Sequence, residues 1–179
     1  LTGLGDRTSL SFFTTADFEE QKTVQLAHDF RVGGQGLTLG GQATYAWSKP
    51  DLGNPLLAFE GRTLFATLEA SYPLVRTQAL TVRAGAGVDI IDQDVRFAGF
   101  DLTRDRLRVA FLRLGLDARD TNFSDPRFTS AEPRWRVAGT LELRQGLAAL
   151  GASDGCGPAF VRCGFGVVPP ARAEGDPQA

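Results

Sequence analysis

The sequence predicts an all-β fold: an antiparallel up-and-down sheet of about seven strands, forming part of a transmembrane β-barrel. Three observations predict it. Apolar and polar residues alternate at strand period in one segment after another. Several of these segments run to about 10–14 residues, whereas strands of ordinary globular domains centre on about 5–6. The face opposite the apolar one carries Thr, Ser, Gly and Gln with scattered Arg, Glu and Asp, and Lys is scarce. A face of small polar groups with isolated charges suits a hydrated lumen.

The elements follow in order. RTSLSFFTT gives a strand from about Arg7 to Thr15. TVQLAHDFRV sets Val24, Leu26, Phe30 and Val32 against Thr23, Gln25, Asp29 and Arg31. LTLGGQATYAW sets Leu37, Leu39, Ala43, Tyr45 and Trp47 against Thr38, Gly40, Gln42, Thr44 and Ala46. RTLFATLEASYPL sets Leu64, Ala66, Leu68, Ala70, Tyr72 and Leu74 against Thr63, Thr67, Glu69 and Ser71, with Phe65 as the exception. ALTVRAGAGVDI, residues 79–90, alternates without a break. Leu80, Val82, Ala84, Ala86, Val88 and Ile90 oppose Thr81, Arg83, Gly85, Gly87 and Asp89, with Gly85 and Gly87 expected as open lumen space. In RLRVAFLRLGLDAR, Leu107, Val109 and Phe111 fall out of phase with Leu112, Leu114 and Leu116, and a β-bulge between Phe111 and Leu112 would restore one apolar face. WRVAGTLELRQGL sets Trp135, Val137, Leu141, Leu143 and Leu147 against Arg136, Thr140, Glu142 and Arg144.

The connections are patterned. TTADFEEQK is of medium length, VGGQG is tight, SKPDLGNPLLAFEG is long, and VRTQAL leaves room only for a tight turn. DQDVRFAGFDLTRD is expected as a long loop. DTNFSDPRFTSAEP is also long and breaks the short/long alternation typical of outer-membrane barrels. Tyr45 and Trp47 end an apolar face before a long loop, and Tyr72 ends one before a short turn, as interfacial aromatic girdles do.

Composition narrows the functional classes. With 42% hydrophobic and 22% charged residues the chain can form a packed domain, and its net charge of -2 points to no nucleic-acid partner. No apolar run reaches the length of a transmembrane helix. Leu1 begins mid-phrase without a signal-peptide pattern, so the chain is expected to be a fragment or processed product of something longer. Cys156 and Cys163 are spaced for a small disulfide loop in an oxidising compartment, with free thiols as the alternative. No cofactor or metal is expected. His28 lies alone on an apolar face, Glu19 and Glu20 fall in a loop, and Asp89, Asp92 and Asp94 lack the Gly and Glu of a calcium loop. GLGDRT is a Gly-rich turn without the following helix of a phosphate site. No enzymatic activity is expected.

Taken together, ordered segments resemble the barrel of two-partner secretion transporters, the haemolysin secretion/activation family. LTGLGDRTSLSF resembles the turn and strand near the start of that barrel. QATYAWSKPDLG is similar to the following strand, and ATLEASYPLVRTQALTVRAGAGVDIID to the next hairpin. DRLRVAFLRLGLDARD and WRVAGTLELRQGLAALGA are similar to the two strands after it. The resemblance spans residues 1–150, leaving 151–179 as a Gly/Pro-rich outer loop and polar tail. It implies a pore in the outer membrane of a Gram-negative bacterium, with periplasmic domains before a barrel of roughly sixteen strands. Such a pore exports a large extended partner protein without ATP. VRFAGF at 95–100 does not match the family's Val-Arg-Gly-Tyr/Phe loop motif, because Phe97 and Ala98 separate Arg96 from Gly99. No functional residue is carried over.

From the residues alone, the candidate lumen-facing charges are Arg83, Asp89, Glu69, Glu142 and Arg144. The expected partners are the exported polypeptide and outer-membrane lipid. The competing readings are another outer-membrane barrel, of autotransporter or porin type, and a β-sandwich binding module.

Overall fold

The computed structural model describes residues 5–16, 18–51, 53, 58–120 and 135–153. Cys156, Cys163 and the expected 120–133 connection beyond Asp120 lie outside the described residues. Within them the chain is all-β and contains no helix. Seven strands run up and down in one antiparallel sheet, in sequence order. They are β1 (Arg7–Thr14), β2 (Gln21–Val32), β3 (Leu37–Ser48), β4 (Phe59–Arg76), β5 (Leu80–Phe97), β6 (Phe100–Arg119) and β7 (Arg136–Gly146). Each strand pairs only with its sequence neighbours, so β1 and β7 are the two edges of an open sheet.

The alternation expected of β2, β3, β5 and β7 is observed, as is that of β4 up to Pro73, but a register shift between Pro73 and Val75 breaks the alternation expected to run on to Leu74. Register carries it across the sheet. His28 faces Gly41, Gly41 faces Leu68, Leu68 faces Val88, and Val88 faces Ala110. Asp29, Gly40, Glu69, Gly87, Phe111 and Arg144 follow one another in the same way on the other face. Because side chains alternate strictly, one unbroken register keeps each set on its own face.

Two expectations about β6 are corrected. No bulge separates Phe111 from Leu112: Phe111 pairs with Gly87, Leu112 with Ala86, and the register runs on to β7 without a shift. Leu107, Val109 and Phe111 therefore belong to the polar face. The segment 92–105 is not a long loop either. β5 continues to Phe97, a two-residue turn at Ala98–Gly99 reverses the chain, and β6 begins at Phe100. Both turn residues have positive φ, 49° at Ala98 and 83° at Gly99, as a type I′ hairpin turn requires. The Ala98 N–H also donates to the Ala58 carbonyl at 2.8 Å, tying the turn to the segment leading into β4.

The connections divide between two ends. Residues 15–20, 49–58 and 98–99 join strands at one end, and 33–36, 77–79 and 120–135 at the other. The second end holds the 33–36 and 77–79 turns and also the longest connection, and the first end holds the two-residue 98–99 turn. In the 77–79 turn, the Thr77 hydroxyl accepts from the Leu80 N–H at 2.9 Å, and the Thr77 N–H donates to the Leu80 carbonyl at 2.8 Å. Past Gly146 the chain stays beside β6. The Leu147 N–H donates to the Arg108 carbonyl, and the Ser153 N–H to that of Arg106.

Candidate functional site: two faces and a border

The sheet changes polarity along its length. In the band nearer the 33–36 and 77–79 turns, one face is almost wholly apolar. It carries Val24 to Val32 of β2, Leu37 to Trp47 of β3, Leu64 to Tyr72 of β4, Leu80 to Ile90 of β5, Ala110 to Ala118 of β6 and Val137 to Leu143 of β7 at alternate positions. Nothing among the described residues covers it: Leu112 is 60% exposed and Leu143 63%. His28 lies within this face, its Nδ1 2.8 Å from the Thr8 hydroxyl and its ring beside Phe30.

Beyond the band that same face turns charged. Arg62, Asp92, Asp94, Arg96, Arg104, Arg106 and Arg108 follow in register. Asp94 accepts from Arg104 at 2.7 Å, Asp101 from Arg96 at 2.6 Å, and Asp92 from Arg108 at 2.7 Å. Arg108 is buried and also donates to the backbone carbonyls of Leu150, Ile91 and Leu107. On the opposite face one row of this stretch is apolar, Phe65, Ile91 and Leu107, with Val109 beside it, and the next row is Thr63, Gln93 and Asp105. Tyr45 and Trp47 mark the border on β3, their rings edge to face with centroids 4.2 Å apart. At the other limit the Tyr72 hydroxyl donates to Gln35 at 3.2 Å.

The border is oblique to the ladder. On β4 the last apolar residue is Leu64, whose partner is the charged Asp92. On β5 it is Ile90, whose partner is Arg108, and on β6 it is Ala110, whose partner is Gln145. From β4 to β7 the border falls by two residues at every strand, ending at Leu143.

All five candidate polar-face charges lie on one face, and four of them meet. Arg113, on the same face, joins them. It donates to Glu142 at 2.7 Å and to Glu69 at 3.2 Å. Arg144 donates to Glu142 at 2.9 Å and to Asp89 at 2.5 Å. Thr67 donates to the other oxygen of Asp89 at 2.7 Å. Asp89 is only 4% exposed, so both its oxygens are satisfied where water has little access. Phe111, 3% exposed, lies beneath this network, with the Arg113 and Arg144 guanidinium carbons 5.1 and 6.0 Å from its ring centroid. Arg83 stands apart: it makes no hydrogen bond or ion pair with another described residue.

Gly85 and Gly87 are not open space, contrary to the sequence expectation. A Cβ on Gly87 would stand 2.4 Å from the Leu68 carbonyl oxygen and 2.4 Å from Cζ of Phe111. A Cβ on Gly85 would stand 2.8 Å from the Glu69 carboxylate. The two glycines are the floor on which Phe111 and Glu69 rest. Phe111 is missed by the sequence because the supposed slip after it assigns the ring to the apolar side, and the roles of Thr67 and Arg113 are missed because they depend on the register between strands. The signal was present in Arg113 and Asp117, which alternate in phase with Leu112, Leu114 and Leu116.

The three nearby aspartates do not converge. Asp89 lies on one face and Asp92 and Asp94 on the other, each paired with its own arginine. Among the described residues no group of three His, Cys, Asp or Glu could hold a metal ion. The polar-face charges thus form an ion-paired network that joins β4, β5, β6 and β7. In comparisons with known proteins, no family model, no curated protein and no solved structure matches this chain.

Proposed function

We propose that the sheet is a section of the wall of an outer-membrane β-barrel pore, with the apolar band against lipid and the polar face toward a hydrated lumen. The observation that carries this reading is the change of one face from apolar to ion-paired across an oblique border. A sheet in water on one side gains nothing by exposing leucines over half its length and ion pairs over the rest. A sheet crossing a bilayer and emerging from it does both.

The slope of the border agrees with this. From Val24 on β2 to Leu143 on β7, five strands on, the upper limit falls by six residues. At about 3.4 Å per residue and about 4.8 Å per strand, that corresponds to strands tilted by roughly 40°, within the range of such barrels. The apolar run on β5, Leu80 to Ile90, then spans about 26 Å along the membrane normal, close to the roughly 25 Å apolar band of these barrels. The two open edges need further strands to close a barrel, because unpaired edges in hydrocarbon leave backbone groups unsatisfied.

Within that architecture the pore exports a large, extended partner protein without ATP, as in two-partner secretion in Gram-negative bacteria. The ordered resemblance of residues 1–150 to that family's barrel supports this step. Disruption of the gene tests it. Loss of one large polypeptide from the medium, restored by the wild-type gene, is expected. An unchanged set of secreted proteins together with reduced uptake of small solutes would replace export with a porin-like role. Recovery of the full-length protein in the aqueous fraction without detergent would overturn the membrane reading itself.

A further inference from the structure

We infer that the turn end of the polar face holds a binding site for a multiply charged oxyanion, built from Arg31, Arg76 and Arg83. Arg31 lies opposite Thr38 at the end of β2. Arg83 lies opposite Pro73, and Arg76 opposite Thr81. Arg76 reaches this face only because of an irregularity. Strict alternation from Tyr72 would put residue 76 on the apolar side, but the register shifts between Pro73 and Val75 and turns Arg76 over. Bulges that re-aim one side chain in this way are built features of a sheet.

The three arginines line one cleft of about 640 Å³ together with Thr38, Thr81 and the Gly33–Gly36 turn. No carboxylate lines it among the described residues. None of the three guanidinium groups makes a hydrogen bond or ion pair with another described residue. Elsewhere on this face Arg7 is matched with Asp29, Arg136 with Asp117, and Arg113 and Arg144 within the central network, while Arg119 donates to the Gln78 carbonyl. Three like charges around one cleft repel one another, and an anion between them relieves that repulsion. Guanidinium forks take phosphate and carboxylate oxygens in pairs. No aromatic side chain lines the cleft on which a base could stack, so the ligand class is a compact oxyanion and not a nucleic-acid strand. The site belongs to the polar face whatever covers the apolar one, so its failure and that of the membrane reading are separable.

The test uses the full-length protein in zwitterionic detergent, titrated with inorganic pyrophosphate and, separately, with a hexa-aspartate peptide. Binding that weakens with added salt is expected, with at least a tenfold loss of affinity in the Arg31→Gln, Arg76→Gln, Arg83→Gln triple variant and no loss in Arg96→Gln. Pyrophosphate binding alone assigns the site to a small ion, and hexa-aspartate binding alone to an acidic polypeptide segment. Equal affinity in the triple variant, or no binding of either probe to the parent chain, overturns the site. Should the triple variant lose its strand circular-dichroism signal, the side-chain Nε–H resonances of the parent decide. Shifts at Arg31, Arg76 and Arg83 support the site, and shifts confined to other arginines overturn it.

Discussion

Gly87→Ala should damage the fold far more than Gly85→Ala, although the two glycines are two residues apart on the same face. At Gly87 the added methyl meets the Leu68 carbonyl oxygen and Cζ of Phe111, both at 2.4 Å, with Cε1 of the ring at 2.8 Å. Neither neighbour is a flexible chain end. One is backbone in the β4–β5 ladder, and the other is a ring held at 3% exposure under two guanidinium groups. Forcing them apart is overpacking, which costs about 1–3 kcal/mol, and tilting Phe111 out of its socket loses part of its burial as well. At Gly85 the near neighbour is the end of the Glu69 side chain, which can swing aside, so about 0.5 kcal/mol is expected. Urea unfolding of the protein in lipid vesicles, followed by the fluorescence of Trp47 and Trp135, gives both values. Phe111→Leu in the Gly87→Ala background should recover about 1 kcal/mol relative to additivity, since the smaller side chain vacates the methyl's place. Equal effects at 85 and 87, or strict additivity of Gly87→Ala with Phe111→Leu, would show that Phe111 does not lie over Gly87 and that the register of β6 is wrong.

Other substitutions probe the faces and the turn. Val88→Arg puts a charge within the apolar band and should cost about 2–4 kcal/mol in vesicles, while Gln42→Arg on the polar face should cost less than about 0.5 kcal/mol; denaturant titration of the two side by side measures the difference. Asp89→Asn keeps an acceptor for Thr67 but strips the charge that Arg144 faces. It should lose about 1–2 kcal/mol, and the double variant with Arg144→Gln should lose less than the sum, as read by a double-mutant cycle. Ala98→Asn replaces the one non-glycine residue of the 98–99 turn by a residue that tolerates positive φ, and should raise stability by about 0.5–1 kcal/mol in the same unfolding assay.

What the sequence discloses and what it hides follow from one cause. In β2 to β5 the apolar residues stay on one face for four or more alternate positions, so period-2 alternation alone assigns each face. At Ile90 the environment of that face changes, and the pattern changes with it. Asp92, Asp94 and Arg96 continue the face of Ile90, while Ile91 and Val95 move to the other, so the continuation of β5 reads as a polar loop. Leu107, Val109 and Phe111 are the same inversion seen from β6, and it imitates a register slip. The 98–99 turn is hard to see because Ala-Gly lacks the Asn or Asp that usually marks a type I′ turn. Glu69, Asp89, Glu142 and Arg144 were assignable to one face by parity. Their meeting was not, since it depends on the relative register of four strands and on Arg113, which bridges Glu69 to Glu142. Arg76 is the converse case: alternation alone assigns it to the wrong face, and only the bulge after Pro73 corrects it.

The most direct measurement is collision-accessibility spectroscopy of single nitroxide labels placed in turn at residues 82 to 90 of β5, Gly87 excepted, in vesicles, with Cys156 and Cys163 replaced by Ser. Lipid-soluble oxygen should reach labels at 82, 84, 86, 88 and 90, and a water-soluble nickel chelate should reach 83 and 85 and fade toward the buried Asp89. The oxygen signal should rise toward the middle of the run and fall at both ends, as depth in a bilayer requires. Nickel access at the even-numbered positions equal to that at 83, with no depth dependence for oxygen, would contradict a lipid-facing band and return this strand to a sheet in water.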